Sequence, residues 1–173
     1  MTIADCKREL PICTVNDKLD IAAFIMFGDV EITEKAAEQL LKKCPEHDVV
    51  LTAEAKGIPL AYEMARQGCR DYVVARKSVK TYMKNPISAD VKSITTSAQQ
   101  RLYISEDKVE KLKNKRVLIV DDVISTGESL SALEYLVEKA GGKIVCKACV
   151  LAEGDAIERE DLVYLEELPL FFK

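Results

Sequence analysis

Short apolar runs alternate with longer amphipathic segments along most of the chain. The apolar runs have the length and composition of strands: DVVLTA (48–53), DYVVAR (71–76), KRVLIVDD (115–122) and KIVCKACVLAEG (143–154). The amphipathic segments have helical spacing and helix-ending residues: GDVEITEKAAEQLLKKC (28–44), GIPLAYEMARQG (57–68) and GESLSALEYLVEKAGG (127–142). This alternation predicts βαβ units and therefore an α/β fold, with a mostly parallel twisted sheet flanked by helices.

The start of the chain has a different pattern. Residues 1–10 place Ile3 and Cys6 on one side of a short predicted amphipathic helix. The next segment, PICTVNDKLDIAAFIMF (11–27), predicts two extended stretches around a turn at residues 16–18.

Two further stretches interrupt the strand–helix alternation. Residues 77–90 are polar and show no helical stripe, and VKSITTSAQQRLYIS (91–105) predicts a hairpin that turns near Gln99-Gln100. The tail LVYLEELPLFF (162–172) closes the chain.

Length and charge limit the classes of function. A chain of 173 residues suits one well-buried domain and is short for two. The net charge of −4 predicts no nucleic-acid-binding surface. The longest clean apolar stretch, 21–27, is too short to cross a bilayer, and the start lacks the apolar core of a secretion signal. We expect a cytoplasmic protein with no membrane partner.

Cysteine and histidine positions predict no metal or redox centre. The six cysteines are scattered, so we expect reduced thiols. The CKAC motif at 146–149 falls in a predicted strand, where residues three apart point to opposite faces. Its two cysteines are therefore predicted to be small buried hydrophobes. The lone histidine, His47, is predicted to be solvated and without ligand partners.

The segment VLIVDDVISTGESL (117–130) carries the clearest chemistry. An apolar strand leads into Asp121 and Asp122, then into Ser125-Thr126-Gly127 and a helix, whose N-terminal N–H groups would bind phosphate. Neither G-x-x-x-x-G-K-[ST] nor G-x-G-x-x-G is present, which disfavours ordinary nucleoside-triphosphate and dinucleotide sites. The two acids would accept hydrogen bonds from a sugar or face a phosphate-bound Mg²⁺. The alternative is a Ser- or Thr-capped helix beside two solvated acids.

Loops that follow parallel strands meet at one edge of a sheet. We therefore expect segments 53–57, 76–90 and 121–129 to share one solvent-facing edge. The ligand implied by this edge carries a phosphate at one end, a diol in the middle and metal-bound phosphates at the other end.

The 117–130 segment resembles the phosphoribosyl-diphosphate (PRPP) binding motif of type I phosphoribosyltransferases. The resemblance implies that Asp121 and Asp122 contact the ribose hydroxyls and form the catalytic set with Arg76. It also implies a 5′-phosphate held mainly by backbone N–H groups, with the Glu128 carboxylate turned away. The residues of this phosphate site would be Ser125, Thr126, Gly127, Glu128 and Ser129.

Two more segments resemble the adenine phosphoribosyltransferases within this family. VVLTAEAKGIPLA (49–61) would supply a tight turn that binds the diphosphate, a place for a strained or cis peptide, and VVARKSVK (73–80) would supply a basic pair. The diphosphate-binding residues would be Glu54, Ala55, Lys56, Gly57, Arg76 and Lys77. Without the resemblance, these segments are an ordinary strand-to-helix connector and surface charges. Mg²⁺ would be held mainly by the substrate's diphosphate, with no direct protein ligand, and reached by Asp121 or Asp122 through water.

The resemblance implies a single phosphoribosyltransferase domain over residues 1–173, acting on PRPP and a purine base as a homodimer. A hood from about 9–27 and 152–172 would cover the base, and a mobile loop at about 80–103 would exclude water. The expected base-binding residues are Ile12, Cys13, Val123 and Glu153.

Adenine is the expected base for two reasons. The Glu153 carboxylate and the C-terminal Leu-Pro-Leu-Phe-Phe segment resemble the adenine subfamily, and no lysine follows Glu153 in sequence. Xanthine or another 6-oxopurine is the alternative, because residues 91–105 are closer in layout to xanthine phosphoribosyltransferases. Two other classes stay open: a non-catalytic PRPP-sensing regulator, and a structural α/β domain with a degenerate site.

Overall fold

The computed structural model describes residues 1–91 and 100–173. Within them, the strands are β1 (Thr2–Ile3), β2 (Cys6–Lys7), β3 (Ile12–Asn16), β4 (Leu19–Ala22), β5 (Val49–Ala53), β6 (Tyr72–Ala75), β7 (Ile87–Val91), β8 (Gln100–Ile104), β9 (Arg116–Ile124), β10 (Lys143–Glu153), β11 (Val163–Leu168) and β12 (Leu170–Phe172). The helices are α1 (Val30–Lys43), α2 (Ile58–Gln67), α3 (Glu106–Leu112) and α4 (Glu128–Ala140), with a short 3₁₀ helix at Gly154–Glu158.

A five-stranded sheet forms the centre of the fold, in the order β11-β10-β9-β5-β6. All four neighbouring pairs are parallel. Because parallel neighbours need long crossovers, helices or other long segments connect them and cover the sheet. The predicted α/β fold with a mostly parallel sheet is confirmed.

Each face of the sheet has its own apolar core. Along β9, Val117 and Ile119 pack into the core that contains α3, α4 and the β7–β8 hairpin. Their neighbours Leu118 and Val120 pack into the core that contains α1 and α2. A strand buried on both faces reads as a continuous apolar run, which is why 117–120 has no polar member.

The predicted helices begin and end where their sequences indicate. In α1 the side chain of Asp29 accepts a hydrogen bond from the Ile32 N–H at 3.1 Å and so caps the first turn. The α2 helix ends at Gly68, whose N–H donates to the Met64 carbonyl at 2.9 Å. The predicted apolar stripe of α1 is buried at Ile32, Ala36, Ala37 and Leu40, and Leu41 packs partly buried against the same core.

A second sheet joins the two ends of the chain, in the order β12-β4-β3 with antiparallel pairing. The predicted turn at residues 16–18 is present, and the Lys18 N–H donates to Asn16 Oδ1 at 2.8 Å. This sheet, which we call the hood, unites the N-terminal segment with the C-terminal tail.

The helix predicted for residues 1–10 is wrong. Strands β1 and β2 pair antiparallel there, and Ala4 and Asp5 form the turn with φ of 48° and 63°. Ile3 and Cys6 are cross-strand partners and both are buried. Two inward residues three apart in sequence fit a helix turn and a tight hairpin equally well, so the spacing misled the prediction.

The predicted hairpin within residues 91–105 starts earlier than expected. Strand β7 pairs antiparallel with β8, so Gln100 lies in a strand rather than at the turn. Residues 92–99, including the rest of the predicted turn and part of the predicted mobile loop, lie outside the described residues. Helix α3 follows β8 and has too few apolar residues to have been predicted.

The prediction for the CKAC cysteines holds in part, and the one for His47 is wrong. All six cysteines are free thiols in the structure. Cys146 and Cys149 pack against opposite cores as expected, but only Cys149 is buried, and Cys146 is partly exposed. His47 is partly buried rather than solvated: its Nδ1 lies 3.0 Å from the Pro45 carbonyl oxygen. Among the described residues, no helix combines the length and apolarity needed to span a bilayer.

Candidate active site

Three loops meet at the carboxyl ends of β5, β6 and β9. The 54–57 loop leads from β5 into α2, and the 125–129 loop leads from β9 into α4. Residues 76 and 77 directly follow β6. Contacts between the loops, described below, confirm that they share one edge of the sheet.

The 125–129 loop leaves the start of α4 open. Gly127 is the N-cap residue, with φ of +76°, and makes no side-chain capping bond, so the alternative of a Ser- or Thr-capped helix is not observed. A residue with a side chain would be strained at this φ. The N–H groups of the first helical turn have no intrahelical acceptor, which makes the turn an anion-binding arrangement.

One pocket contains the whole predicted phosphate site. It is lined by Asp121 and Val123 together with Ser125, Thr126, Gly127, Glu128 and Ser129. The folded chain therefore brings one of the two acids and the helix start into the same cavity, as the order of residues 117–130 predicts.

Strand β9 runs through both acids to Ile124 instead of ending before them. Asp122 is buried, with 3% of its surface exposed, so the expectation of two acids at a solvent-facing edge is wrong for this residue. Asp121 is partly buried, and its Oδ1 accepts a hydrogen bond from the Asp122 N–H at 2.9 Å. Burial, with the neighbouring Asp122 carboxylate, raises the pKa of Asp121.

Lys56 supplies the nearest positive charge. Its Nζ lies 3.2 Å from Asp122 Oδ2, and the lysine side chain is half exposed. The contact is an ion pair without hydrogen-bond geometry, since Asp122 Oδ2 is buried and has no hydrogen-bond donor among the described residues. Lys56 therefore balances the charge of Asp122 without donating a hydrogen bond to it.

Gly57 allows the 54–57 loop to press against β9. A Cβ atom on this residue would lie 2.3 Å from Thr52 Oγ1 and 2.8 Å from Asp121 Oδ1. Only glycine fits this approach without displacing its neighbours. The peptide between Glu54 and Ala55 in the same loop is cis, as the resemblance suggested for this turn.

Glu54 links the 54–57 loop to the end of β6. Its Oε2 accepts a hydrogen bond from the Lys77 N–H at 2.9 Å and lies 3.2 Å from Arg76 Nε. The Lys77 N–H bond, helped by the charge of Arg76, lowers the pKa of Glu54. The predicted diphosphate-binding set is thus adjacent in space, with Glu54 engaged by Arg76 and Lys77.

The predicted base-binding residues lie on three elements. Ile12 and Cys13 are exposed on strand β3 of the hood, and Val123 is partly buried on β9. Glu153 ends β10 and is partly buried; burial raises its pKa, and the charge of Lys56 opposes that rise. Although no lysine follows Glu153 in sequence, the fold brings Lys56 close enough to act on it. The part that each plays in binding a base stays a prediction.

Arg159 is a neighbour of the site that sequence reasoning missed. A Cβ atom on Gly127 would lie 2.9 Å from Arg159 Nη1, so this guanidinium packs against the 125–129 loop. Its Nε and Nη2 donate to Asp161 at 3.0 and 2.9 Å. Its position in sequence could have indicated this, because Arg159 follows β10 and the carboxyl end of β10 lies at the same edge of the sheet as the site.

The described residues contain no group of three or more His, Cys, Asp or Glu side chains arranged to hold a metal ion.

Residues 27–167 match the family model of the phosphoribosyl transferase domain. The chain belongs to the phosphoribosyltransferase family. The motif resemblance at 117–130 is thereby confirmed.

Relatives of the chain within the phosphoribosyltransferase family are named for different purine bases. It is 40% identical over 108 residues to a hypoxanthine/guanine phosphoribosyltransferase of Methanococcus voltae, covering 62% of this chain and 54% of that protein. It is also 40% identical over 103 residues to an adenine phosphoribosyltransferase of Thermotoga petrophila, covering 60% and 58%. The chain spans little more than half the length of these relatives.

Solved structures with the same fold are adenine phosphoribosyltransferases. The protein of Thermoanaerobacter pseudethanolicus matches with a TM-score of 0.69 and 25% identity, over 80% of this chain and 82% of that one. The Giardia lamblia protein, solved with 9-deazaadenine, matches with a TM-score of 0.73 over 96% and 98% of the two chains. At 18% identity the second similarity shows the fold alone.

Proposed function

We propose that this member of the phosphoribosyltransferase family transfers ribose 5-phosphate from PRPP to adenine, giving AMP and diphosphate. The observation that carries the proposal is the pocket in which Asp121 lies beside all of the 125–129 loop. A sugar 5-phosphate needs an anion-binding turn beside hydrogen-bond acceptors for its diol, and this pocket contains both.

The 5′-phosphate would bind the N–H groups at the start of α4. Gly127 leaves them uncapped, and the helix dipole favours an anion there. The Arg159 guanidinium lies behind Gly127, where it is paired with Asp161. The ribose hydroxyls would donate to the carboxylates of Asp121 and Asp122, the second of which is ion-paired with Lys56.

The diphosphate would bind on the opposite side of the sugar, among Lys56, Arg76 and Lys77. Lys56 lies beside Asp122, and Glu54 holds the other two by the contacts described above. Arg76 Nε is buried beside Glu54 Oε2, so this partly exposed side chain would reach the diphosphate through the rest of its guanidinium. These cations would stabilise the charge that builds on the leaving diphosphate.

Mg²⁺ would enter this site bound to the substrate. Asp121 and Asp122 supply carboxylate oxygens, the hard ligands that Mg²⁺ and its bound waters prefer. When bound to the diphosphate, the ion would neutralise charge on the leaving group. The protein's own residues orient the sugar, keep the 5′-phosphate in place and tolerate positive charge at the anomeric carbon.

Adenine is proposed over 6-oxopurines because of Glu153. A carboxylate accepts a hydrogen bond from the exocyclic amine of adenine, whereas the oxygen of a 6-oxopurine needs a donor. We expect Glu153→Gln, which adds a donor, to lower the ratio of kcat/KM for adenine to that for hypoxanthine at least tenfold. An unchanged ratio would show that Glu153 does not select the base.

The 6-oxopurine alternative stands because the relatives named for hypoxanthine/guanine and for adenine are equally identical to this chain. Incubation of the purified protein with PRPP, Mg²⁺ and each purine in turn decides between them. AMP formation supports the adenine proposal, and nucleotide formed only from xanthine, hypoxanthine or guanine supports the alternative. PRPP binding without turnover supports a sensor, and no binding of PRPP supports a degenerate site.

The homodimer expected from the family remains a proposal. Light scattering of the purified protein tests it, and a mass near 19.3 kDa, that of one chain, would contradict it.

A further inference from the structure

Two thiols face each other far from the proposed active site. Cys44 is the C-cap residue of α1, and Cys146 lies near the start of β10, just after an irregularity in its pairing with β9. Their sulfur atoms are 3.7 Å apart although the residues are 102 positions apart in sequence. Glu153, at the active-site end of β10, is roughly 20 Å away along the strand at the usual rise per residue.

We propose that Cys44 and Cys146 form a reversible dithiol site that closes to a disulfide on reaction with a small-molecule disulfide. A disulfide bond is about 2.05 Å long, so closure requires the two sulfur atoms to approach by less than 2 Å. Both residues are partly exposed, which leaves the pair accessible to a small reagent.

The surroundings assign different roles to the two sulfurs. Cys44 lies at the carbonyl end of α1, where the helix dipole disfavours a thiolate. The hydrogen bond shared with Cys146, together with burial, raises the pKa of Cys44. The same hydrogen bond lowers the pKa of Cys146 to about 7, against the effect of burial and with help from the Lys147 backbone and the charges of His47 and Lys147. Cys146 is therefore the attacking thiolate.

The reaction proceeds in two exchanges. The Cys146 thiolate attacks one sulfur of the reagent, forms a mixed disulfide and releases one reagent thiolate. Cys44 then loses its proton to solvent and attacks the Cys146 sulfur, which releases the second reagent thiolate. The two cysteines are oxidised by two electrons, and the reagent disulfide is reduced to two thiols.

A metal site is a weaker explanation of the same cluster. Cys69 and His47 lie nearby, but the Cys69 thiol donates to the Asp71 carbonyl at 3.2 Å. Among the described residues, no three His, Cys, Asp or Glu side chains are arranged to hold a metal ion.

The crosslink would tie the end of α1 to the central sheet. It closes a loop of about 100 residues, which restricts the unfolded chain strongly. For a protein of this size we expect the unfolding temperature to rise by about 10 °C on oxidation and to return when dithiothreitol is added.

Treatment of the whole protein with oxidised glutathione tests the proposal. We expect a linked Cys44–Cys146 peptide by mass spectrometry and the rise in unfolding temperature, while a mixed disulfide on the exposed Cys13 should leave both results unchanged. Cys44→Ser should instead keep one glutathione on Cys146 and show no rise, while the nearby control Cys69→Ser should behave like wild type.

Three results would overturn the proposal. The first is an oxidised wild-type protein without the linked peptide. The second is a temperature rise that persists in Cys44→Ser. The third is one zinc ion per chain in the purified protein whose removal requires Cys44 and Cys146.

Discussion

At the scale of single residues, the site depends on charged side chains that are buried or partly buried. Asp122 is buried beside Lys56, and one of its oxygens has no hydrogen-bond donor among the described residues. The ion pair with Lys56 offsets part of the cost of burying this carboxylate. In the proposed complex, a ribose hydroxyl would donate a charge-assisted hydrogen bond to the Asp121–Asp122 pair.

Replacement of Asp122 by Asn tests this role. We expect Asp122→Asn to lower kcat/KM for PRPP by about 100-fold or more, because it removes the charge next to the sugar and turns an acceptor into a donor. The unfolding temperature must be measured as well, since the residue is buried. Asp5→Asn makes the same chemical change in the β1–β2 turn and should leave activity unaltered. Full activity in a folded Asp122→Asn protein would contradict the proposed placement of the sugar.

At the scale of elements, the site is a set of loops fitted to one another. The 54–57 loop approaches β9 through Gly57, and it reaches the end of β6 through Glu54. Small displacements of one loop would therefore move the diphosphate site relative to the sugar site.

Gly57→Ala would displace the 54–57 loop. The added Cβ atom meets Thr52 Oγ1 at 2.3 Å and Asp121 Oδ1 at 2.8 Å, so the loop or the strand must move. A shift of about 1 Å in such a site costs on the order of 100-fold in rate, and we expect kcat/KM for PRPP to fall by that factor. Gly28→Ala adds a Cβ atom in open space but strains the backbone at φ of +84°, so it controls for destabilisation by a glycine replacement away from the site. Equal activity in both variants would show that the approach of Gly57 does not matter.

Elements differed in how well the sequence predicted them. The stripes of α1 and α4 and the order of residues in 117–130 depend on local spacing, and the structure reproduces them. The pairing of Ile3 with Cys6 was predicted as a helix because both structures place residues three apart on one side. The burial of Asp122 and the approach of Arg159 to Gly127 join distant segments, and no local pattern encodes them.

At the scale of the whole molecule, ion pairs hold the edge of the sheet opposite the proposed active site. Asp48, before β5, accepts hydrogen bonds from the N–H of Arg116 at 2.8 Å and from its guanidinium at 2.9 Å. The guanidinium and then the N–H lower the pKa of Asp48 from 3.8 to about 2. Because the folded-state pKa is the lower one, this stabilisation is present above pH 3.8 and is lost as the pH falls through about 2.

Acid unfolding should report this pairing. We expect the unfolding temperature of the wild-type protein to fall between pH 4 and pH 2, and that of Asp48→Asn to fall less steeply over the same interval. Asp5→Asn, whose parent carboxylate accepts a hydrogen bond from Gln39 instead of a cation, should keep the wild-type slope. Parallel curves for the wild type and Asp48→Asn would refute the assignment.

The placement of the sugar phosphate is tested most directly by a crystal structure with ribose 5-phosphate and Mg²⁺, since this ligand is independent of the purine. We expect the phosphate on the N–H groups of the 125–129 loop and the ribose hydroxyls within hydrogen-bonding distance of Asp121 and Asp122. A sugar phosphate bound elsewhere, without contact to those carboxylates, would contradict the proposed placement of the substrate.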